Sequence, residues 1–345
     1  MDQLFSTIRV STASGSHVQG ICVDARREYM YFSFTTCLVK TDMKGNLVGS
    51  VTGLAGHLGC IAYNYEDGKV YGSLEFKQDS IGKGILSNLG SNRTLQDGFY
   101  MTAFDVEKIN RMDMDAEKDG VMTAVFLKEV YDDYSARGHR YGCSGIDGTT
   151  FAPAFGANGG KQYLYVAYGI YGNTEREDND HQVLLQYDIS DWERYAKPLN
   201  QADMHRCGPD TPTAKYFVFT GNTTYGIQNL EYDPATRTML AAVYRGKKPQ
   251  YPNYPMYFID CTKAPETAAL QGLGHTGQLL SLAPIGKCHA PTGICGSEFP
   301  HGSTGIASLG DGSFLISQPF QEGSAFGSAV SAYRFDPQTA DFSAL

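Results

Sequence analysis

Short apolar segments alternate with turn residues along the whole chain, in a pattern typical of β-strands. Each repeat unit opens on a His or a Tyr, passes through Gly or another small residue, and continues as a short apolar strand. A turn rich in Gly, Asp and Asn follows, and a second strand comes next. The five openings are HVQGICVD from His17, HLGCIAYN from His57, YGCSGIDG from Tyr141, YGIQNLEYD from Tyr225 and HGSTGIASLG from His301.

A third strand completes each unit and ends close to an Asp, at Asp42, Asp105, Asp188, Asp260 and Asp336. Four of the units add a weaker fourth strand. Four antiparallel strands repeated around a chain are typical of β-propeller blades. The sequence therefore predicts an all-β fold, a single β-propeller of four-stranded blades that spans residues 1–345, with five units countable. A β-sandwich or a β-helix built from the same hairpins is the alternative.

Composition favours many short strands joined by tight turns. The chain has 39 Gly among 345 residues, 12% aromatic residues and 19% charged residues, where about a quarter charged is usual. These values exclude a coiled coil, a disordered chain and a collagen-like fibre. A formal net charge of −9 with scattered basic residues predicts no nucleic-acid partner. No apolar run approaches the roughly 20 residues that span a bilayer, so no membrane partner is predicted.

The first residues, MDQLFSTIRVST, lack the basic and apolar regions of a signal peptide. A cytoplasmic protein and a secreted or periplasmic protein whose signal was removed both stay open. Eight cysteines are too sparse for a disulfide scaffold. Four of them lie inside apolar strand patterns and are predicted to be buried, namely Cys22, Cys37, Cys60 and Cys143.

Two loop segments combine thiols with imidazoles, and such side chains suit a structural zinc ion. One segment is KCHAPTGICG, with Cys288, His289 and Cys295, and the other is MHRCG, with His205 and Cys207. Cys288 and Cys295 are the predicted metal ligands, although their spacing is not that of a zinc ribbon. The alternative is that these loop cysteines are reduced and bind no metal.

The repeat also predicts where a functional site lies. In a propeller the inner strand of every blade runs along the central channel, and all inner strands begin at the same end. The residues that precede them should therefore converge on one mouth, as should the ends of the second strands. This set comprises His17, His57, Arg140, Tyr141, Tyr225 and His301, together with Glu75, Lys77, Gln78, Tyr168, Tyr171, Arg245 and Gln318. A polar funnel with titratable groups is the default hypothesis for a site, whereas hydrogen bonding between blades is the structural alternative for each residue.

The residue types at this mouth favour proton abstraction next to a carboxylate. Ordinary glycosidases need two carboxylates that flank the scissile bond, and Glu75 alone is expected here. The motifs of serine hydrolases and of nucleotide-binding folds are absent. An Arg would stabilise the enolate-like transition state of a uronate, while a His or Tyr removes the α-proton and another donates to the leaving oxygen. This chemistry is the β-elimination performed by polysaccharide lyases.

Several stretches resemble one group of β-propeller enzymes, which attack rhamnose–glucuronate linkages: HVQGICVD, GHLGC, YGSLEFKQDSIG, HRYGCSGIDG and FPHGSTGI. The group contains L-rhamnose-α-1,4-D-glucuronate lyases, related ulvan lyases and an α-L-rhamnosidase family, and the resemblance covers nearly the whole chain. It implies seven blades and a rhamnose- and glucuronate-containing oligo- or polysaccharide as the partner. It also implies chemistry that needs no cofactor, with structural zinc or calcium as the metal that some members carry.

The resemblance implies roles for individual residues. His57 matches the first catalytic His of the lyases, but Lys77 and Gln78 occupy the place of the second. Tyr141 and Arg140 are the closest matches to the catalytic Tyr and Arg, with Tyr131 and Tyr134 as alternatives to Tyr141. The single catalytic His of the rhamnosidases corresponds best to His17. Substrate binding is predicted for His17, Lys77, Gln78, Arg245 and His301.

The sequence thus predicts a polysaccharide lyase that cleaves L-rhamnose-α-1,4-D-glucuronate linkages by β-elimination. An α-L-rhamnosidase that hydrolyses the same linkage is the first alternative. A propeller that binds a ligand or a protein without catalysis is the second.

Overall fold

The computed structural model of the protein describes residues 7–12 and 16–345. Residues 1–6 and 13–15, which the predicted domain of residues 1–345 also includes, lie outside that part. The sheets of the described residues are arranged as five blades of a β-propeller. The predicted all-β propeller is confirmed. The number of blades is the five counted from the repeat, and the seven implied by the resemblance is wrong.

The first described strand, β1 (Ile8–Thr12), is part of the last blade, and the first two blades follow it along the chain. Blade 1 contains β2 (Val18–Val23), β3 (Tyr29–Phe34), β4 (Cys37–Asp42) and β5 (Leu47–Thr52). Blade 2 contains β6 (His57–Asn64), β7 (Lys69–Phe76), β8 (Gly98–Phe104) and β10 (Met122–Phe126). Between them β9 (Met114–Asp115) pairs in parallel with β5 at the outer edge of blade 1.

Blade 3 contains β11 (Cys143–Pro153), β12 (Gln162–Ile170), β13 (His181–Tyr187) and β14 (Ala214–Phe219). Blade 4 contains β15 (Thr224–Asp233), β16 (Thr238–Tyr244) and β17 (Met256–Asp260). After it, β18 (Glu266–Ala269) pairs with β19 (Thr276–Leu280), and β19 joins the outer edge of blade 3 in parallel with β14. The strands β20 (Lys287–His289) and β21 (Ile294–Gly296) form a separate hairpin.

Both ends of the described chain build blade 5. Its strands from the C-terminal part are β22 (Ile306–Ser308), β23 (Ser313–Glu322), β24 (Ala325–Asp336) and β25 (Asp341–Ala344). The early strand β1 pairs antiparallel with β24, with Ile8 opposite Val330. This pairing closes the ring, because it holds the residues just before blade 1 on the last blade.

The core lies between neighbouring blades, where the faces of adjacent sheets pack on one another. Leu38 and Val51 of blade 1 belong to the same buried cluster as Leu58 and Leu74 of blade 2. Each apolar side chain buried in this way contributes about 1.5–3 kcal/mol. Cys22, Cys37, Cys60 and Cys143 are buried in strands, which confirms the prediction for those four.

Two helices lie between strands, α1 (Ser80–Asn88) and α2 (Lys128–Ser135). Single 3₁₀ turns occur at Arg140–Gly142 and Trp192–Arg194. The helix α1 begins at Asp79, whose Oδ1 accepts hydrogen bonds from the backbone N–H groups of Ile81 and Gly82. Across residues 7–12 and 16–345, no helix is both long and apolar enough to span a bilayer.

Candidate active site at the channel mouth

The structure brings four side chains together where the inner strands of blades 2 and 3 approach each other. We call His57, Glu75, Lys77 and Asp147 the mouth cluster. His57 is the first residue of β6, and its partner in the antiparallel register of β7 is Glu75. Lys77 follows β7 directly, and Asp147 comes from the inner strand β11 of blade 3.

His57 is held in a neutral state. Its side chain is 13% exposed, and Nδ1 lies 3.8 Å from Oε1 of Glu75. Nδ1 is buried and makes no hydrogen bond with the described residues. Burial, and next the positive charges of Lys77 and His17, lower the pKa of His57 to about 3. The ring is therefore an uncharged imidazole at neutral pH, and in the free protein it is a weak base.

Glu75 and Lys77 form a buried ion pair. Nζ of Lys77 lies 2.5 Å from Oε1 of Glu75, and the two side chains are 4% and 5% exposed. Lys77 also donates to the carbonyl oxygen of Ser144 at 2.8 Å, and Oε2 of Glu75 accepts from the backbone N–H of Ile146 at 2.9 Å. The pKa of Lys77 is raised, because the charges of Glu75 and Asp79 outweigh the burial that lowers it. These bonds connect blades 2 and 3 and hold an ammonium group beside His57.

Asp147 is a member of the cluster that the sequence reasoning missed. Burial, followed by the charge of Glu75, raises the pKa of Asp147 well above its usual range. The carboxyl group accepts hydrogen bonds from the backbone N–H of Cys60 and from the side chain of Gln228. The register of β11 with β12 shifts between Ile146 and Thr149, and Asp147 lies within this irregular stretch. The motif GCSGIDG contains this Asp, but strand alternation alone does not place it in the channel.

Two glycines of the repeat motifs make room for the carboxyl groups. A methyl group on Gly145 would overlap Oε2 of Glu75, and one on Gly59 would overlap Oδ1 of Asp147. Gly145 also has φ of 133°, a conformation that only glycine adopts readily. The small residues that follow His57 and Tyr141 in their units therefore have a direct role in the geometry of the cluster.

More exposed side chains lie around the cluster. His17 is exposed, and its Nε2 lies 3.1 Å from Nε2 of Gln19. Tyr225 is 46% exposed, and its ring contacts that of Tyr244 at 6.2 Å between centroids. Burial, and then the charge of Asp147, raise the pKa of Tyr244. Tyr244 therefore keeps its hydroxyl proton at neutral pH, and the raised pKa makes the hydroxyl group a weaker acid than a free tyrosine.

The contacts described for Arg140 and Tyr141 lie away from His57, and their predicted catalytic roles stay predictions. Tyr141 has φ of 58°, and its ring packs on Phe217 of the outer strand β14 at 5.1 Å. Arg140 pairs with the buried Asp133, with NH1 2.5 Å from Oδ1. Both residues line a separate depression that also contains His275. The left-handed backbone at Tyr141 directs the ring outward before β11 begins.

Three further predicted site residues are engaged elsewhere. Arg245 is 49% exposed and pairs with Glu298. Gln78 is exposed, and its backbone N–H donates to Asp97. The ring of His301 packs edge-on against Phe299 at 5.3 Å. None of these described contacts involves the mouth cluster, and the predicted substrate-binding roles of Arg245, Gln78 and His301 stay predictions.

The predicted zinc ligands Cys288 and Cys295 form a disulfide bond across the β20–β21 hairpin. Their sulfurs are bonded to each other, so both the zinc prediction and the reduced-cysteine alternative are wrong for this pair. His205 instead accepts a hydrogen bond from the backbone N–H of Cys207. Over the described residues, no three His, Cys, Asp or Glu side chains cluster as metal ligands would.

No protein-family model and no curated protein sequence matches this chain. Solved structures with similar folds exist, at low similarity. The structure of the Dos1 propeller matches with a TM-score of 0.37 and 11% identity, covering 88% of this chain and 53% of that one. A periplasmic gluconolactonase from Pseudomonas aeruginosa, PpgL, matches with a TM-score of 0.36 and 11% identity, covering 94% and 70%.

A protein of unknown function from Bacteroides thetaiotaomicron matches with a TM-score of 0.40 and 11% identity, covering 94% of this chain and 75% of that one. The chain thus spans about half the length of the Dos1 propeller chain.

Proposed function

We propose that this protein is a carbohydrate-active lyase that cleaves L-rhamnose-α-1,4-D-glucuronate linkages by β-elimination at the mouth cluster. The observation that carries the proposal is the neutral imidazole of His57 beside the buried ammonium group of Lys77. A neutral imidazole accepts a proton, and a nearby positive charge stabilises the negative charge that develops on a uronate when its α-proton leaves.

In the proposed reaction, Nε2 of His57 removes the proton from C5 of the glucuronate, because Nδ1 is buried against Glu75. The electron pair of that C–H bond forms the double bond between C4 and C5. The bond from C4 to the bridging oxygen breaks, and this oxygen takes a proton from the hydroxyl group of Tyr244. The products are a free rhamnose and a 4,5-unsaturated uronate.

Lys77 replaces the arginine that the sequence reasoning expected at the uronate carboxylate. Arg140 and Arg245 pair with acidic residues elsewhere, whereas Lys77 lies next to His57. Burial, and next the charge of Lys77, keep the pKa of free His57 low. A bound uronate carboxylate would oppose that charge and raise the pKa of His57, which makes the imidazole a stronger base when substrate is present.

Hydrolysis by an α-L-rhamnosidase is the second candidate, and one observation favours it. Glu75 and Asp147 provide two buried carboxyl groups, and burial, followed by the charge of Glu75, raises the pKa of Asp147. A protonated carboxyl group near an ionised one is the acid–base arrangement of glycosidases. The sequence alone predicts only Glu75 at the mouth, and Asp147 is the second carboxyl group that this mechanism needs.

The test is to incubate the protein with a rhamnosyl-glucuronate glycan and follow ultraviolet absorbance together with released rhamnose. Absorbance from the unsaturated uronate supports the lyase, whereas rhamnose without that absorbance contradicts it and supports the hydrolase. If neither signal appears, the lyase and the hydrolase are both contradicted, and a propeller that only binds is favoured. His57→Gln should abolish the product, and His289→Gln is the matched control, since His289 lies in the β20–β21 hairpin and hydrogen-bonds with Thr292.

A further inference from the structure

A second candidate site lies at the opposite end of the channel, where the inner strands end rather than begin. A cavity of about 470 Å³ opens there, within the range of sites that hold small molecules. Its walls come from the ends of the inner strands of all five blades. The lining side chains used below are Asp24, Tyr63, Tyr65, Phe151, Glu231 and Tyr232. None of the four residues of the mouth cluster lines this cavity.

Glu231 supplies a carboxyl group to this cavity, and its polar partners are neutral. Oε1 accepts the backbone N–H of Ser308 at 2.7 Å, and the Thr150 side chain hydrogen-bonds to the carboxyl group. Within the part of the chain that the structure describes, no Lys, Arg or His nitrogen pairs with it. Burial, and the charge of Asp233, raise the pKa of Glu231 to about 8. A carboxyl group at a cavity with no cationic partner is suited to a ligand that brings the positive charge.

The other charged groups that line the cavity are already engaged or lie at its rim. The carboxylate of Asp24 accepts backbone N–H groups of Arg26, Glu28 and Tyr29. Arg27 donates to the carbonyl oxygen of Leu309, and Glu66 is exposed. Asp24, Glu66 and Glu231 outnumber Arg27, so the lining favours a cation over an anion.

Aromatic rings complete the walls. Tyr63 and Tyr65 meet edge to face at 5.2 Å, and Tyr65 is 66% exposed. Phe151 and Tyr232 line the cavity from blades 3 and 4. Faces of aromatic rings attract alkylammonium groups, and the attraction increases when the cation is desolvated. Rings and a carboxyl group around one cavity are the combination that recognises an organic cation.

We propose that this cavity binds a small organic cation of the alkylammonium class, with Glu231 as its counter-ion and Tyr63, Tyr65, Phe151 and Tyr232 as its aromatic walls. The site is independent of the proposed lyase activity, because it is built from different residues at the other end of the channel. A cation that approaches Glu231 stabilises its ionised form, so binding at pH 7 releases a proton from that carboxyl group. The affinity for the cation should then rise between pH 6 and pH 8, because Glu231 is protonated in a smaller fraction of the molecules.

The test is calorimetric titration of the whole chain with choline as the probe, beside 3,3-dimethylbutan-1-ol, its neutral analogue of the same shape. Choline should bind at least about tenfold more tightly than the alcohol. The heat of binding should change with the ionisation enthalpy of the buffer, because a proton is released. Glu231→Gln should weaken choline binding by about tenfold or more and remove this buffer dependence.

Two further variants keep the test decisive if Glu231→Gln fails to fold. Tyr65→Leu changes an exposed ring at the rim and should weaken choline binding several-fold without altering the thermal midpoint. Glu66→Gln removes an exposed carboxylate from the same lining and should weaken choline binding less than Glu231→Gln does. Equal binding of choline and the alcohol, no measurable heat with choline, or unchanged affinity in both Glu231→Gln and Tyr65→Leu would overturn the proposal. Each of these results is independent of whether the mouth cluster cleaves a glycan.

Discussion

His57 and Glu75 face each other across the first two strands of blade 2, with Nδ1 of the imidazole 3.8 Å from Oε1 of the carboxylate. This carboxylate is already paired with Lys77 at 2.5 Å. The imidazole stays uncharged chiefly because it is buried, and the positive charge of Lys77 adds to that effect. The relationship differs from a catalytic His–carboxylate pair, in which the acid would raise the pKa of the ring.

Substitution of His57 separates a catalytic role from a structural one. If His57 takes part in proton transfer, His57→Ala should lower turnover about 100-fold or more and leave the thermal midpoint nearly unchanged. Turnover on the rhamnosyl-glucuronate glycan and the melting temperature are measured on the same variant. A lower melting temperature with full turnover would contradict the catalytic role and direct attention to His17.

Removal of the ammonium group at the mouth cluster should destabilise the fold. Lys77→Met leaves Glu75 buried without its counter-ion, and breaking one side of such a pair costs about 3–5 kcal/mol. The free energy of unfolding is measured by chemical denaturation. The double variant Lys77→Met/Glu75→Leu removes both charges and should recover a large part of the loss. A double variant as unstable as the single one would show that packing, not charge, dominates.

Gly145 should tolerate no side chain. Gly145→Ala adds a methyl group against Oε2 of Glu75, at a φ of 133°, and we expect a loss of about 1–3 kcal/mol in the free energy of unfolding from backbone strain alone. Gly159→Ala is the matched control, because Gly159 also has positive φ, 87°, but no neighbour near the added group. Equal losses in the two variants would show that the contact with Glu75 contributes nothing.

Glu231 should make the protein less stable as the pH rises from about 4.5 to about 8. The pKa of this carboxyl group rises from 4.5 to about 8 on folding, so the unfolded chain ionises it first. Through that window the folded state binds more protons, and stability decreases with pH. Glu231→Gln should flatten the dependence of the free energy of unfolding on pH between 5 and 8. If the free energy of unfolding depends on pH in the same way in the variant and in the natural chain, the raised pKa of Glu231 is contradicted.

Reduction of the Cys288–Cys295 disulfide should lower stability modestly. The loop that the bond closes is short, with a sequence separation of 7, and chain entropy for such a loop corresponds to about 2 kcal/mol. Thermal unfolding with and without a reductant measures the change, and Cys288→Ser/Cys295→Ser should reproduce it. Glycan cleavage should be unaffected, because this hairpin contributes no residue to the mouth cluster.

Much of the fold could be predicted from the sequence because the repeat is regular where the strands are buried. The positions of His17, His57, Tyr141, Tyr225 and His301 mark the starts of five units, and the structure has five blades. The strand β1 was not predicted as part of the last blade, since five residues alone do not show which distant edge they pair with. The helix α1, which Asp79 caps, lies in a segment whose Gly, Asn and Ser content is more typical of a loop.

The site was harder to predict because a repeat position does not determine where a side chain points. His57 and His301 hold equivalent positions, but one lies over Glu75 and the other on Phe299. Tyr141 itself has a left-handed backbone conformation just before β11, which turns its ring outward. Sequence periodicity does not predict such a conformation. Asp147 enters the cluster next to an irregular pairing of β11, which depends on long-range contacts.

The pairing of β1 with β24 has a consequence for the order in which the protein is made. A ribosome synthesises β1 first, but the partner strand emerges only with residues 325–336. Blades 1 to 4 must therefore exist for a time in an open arc, with one end of the arc unsealed. Strand edges exposed at such a stage are templates for pairing with another chain. The pairing that closes the ring therefore cannot form until residues 325–336 have been synthesised.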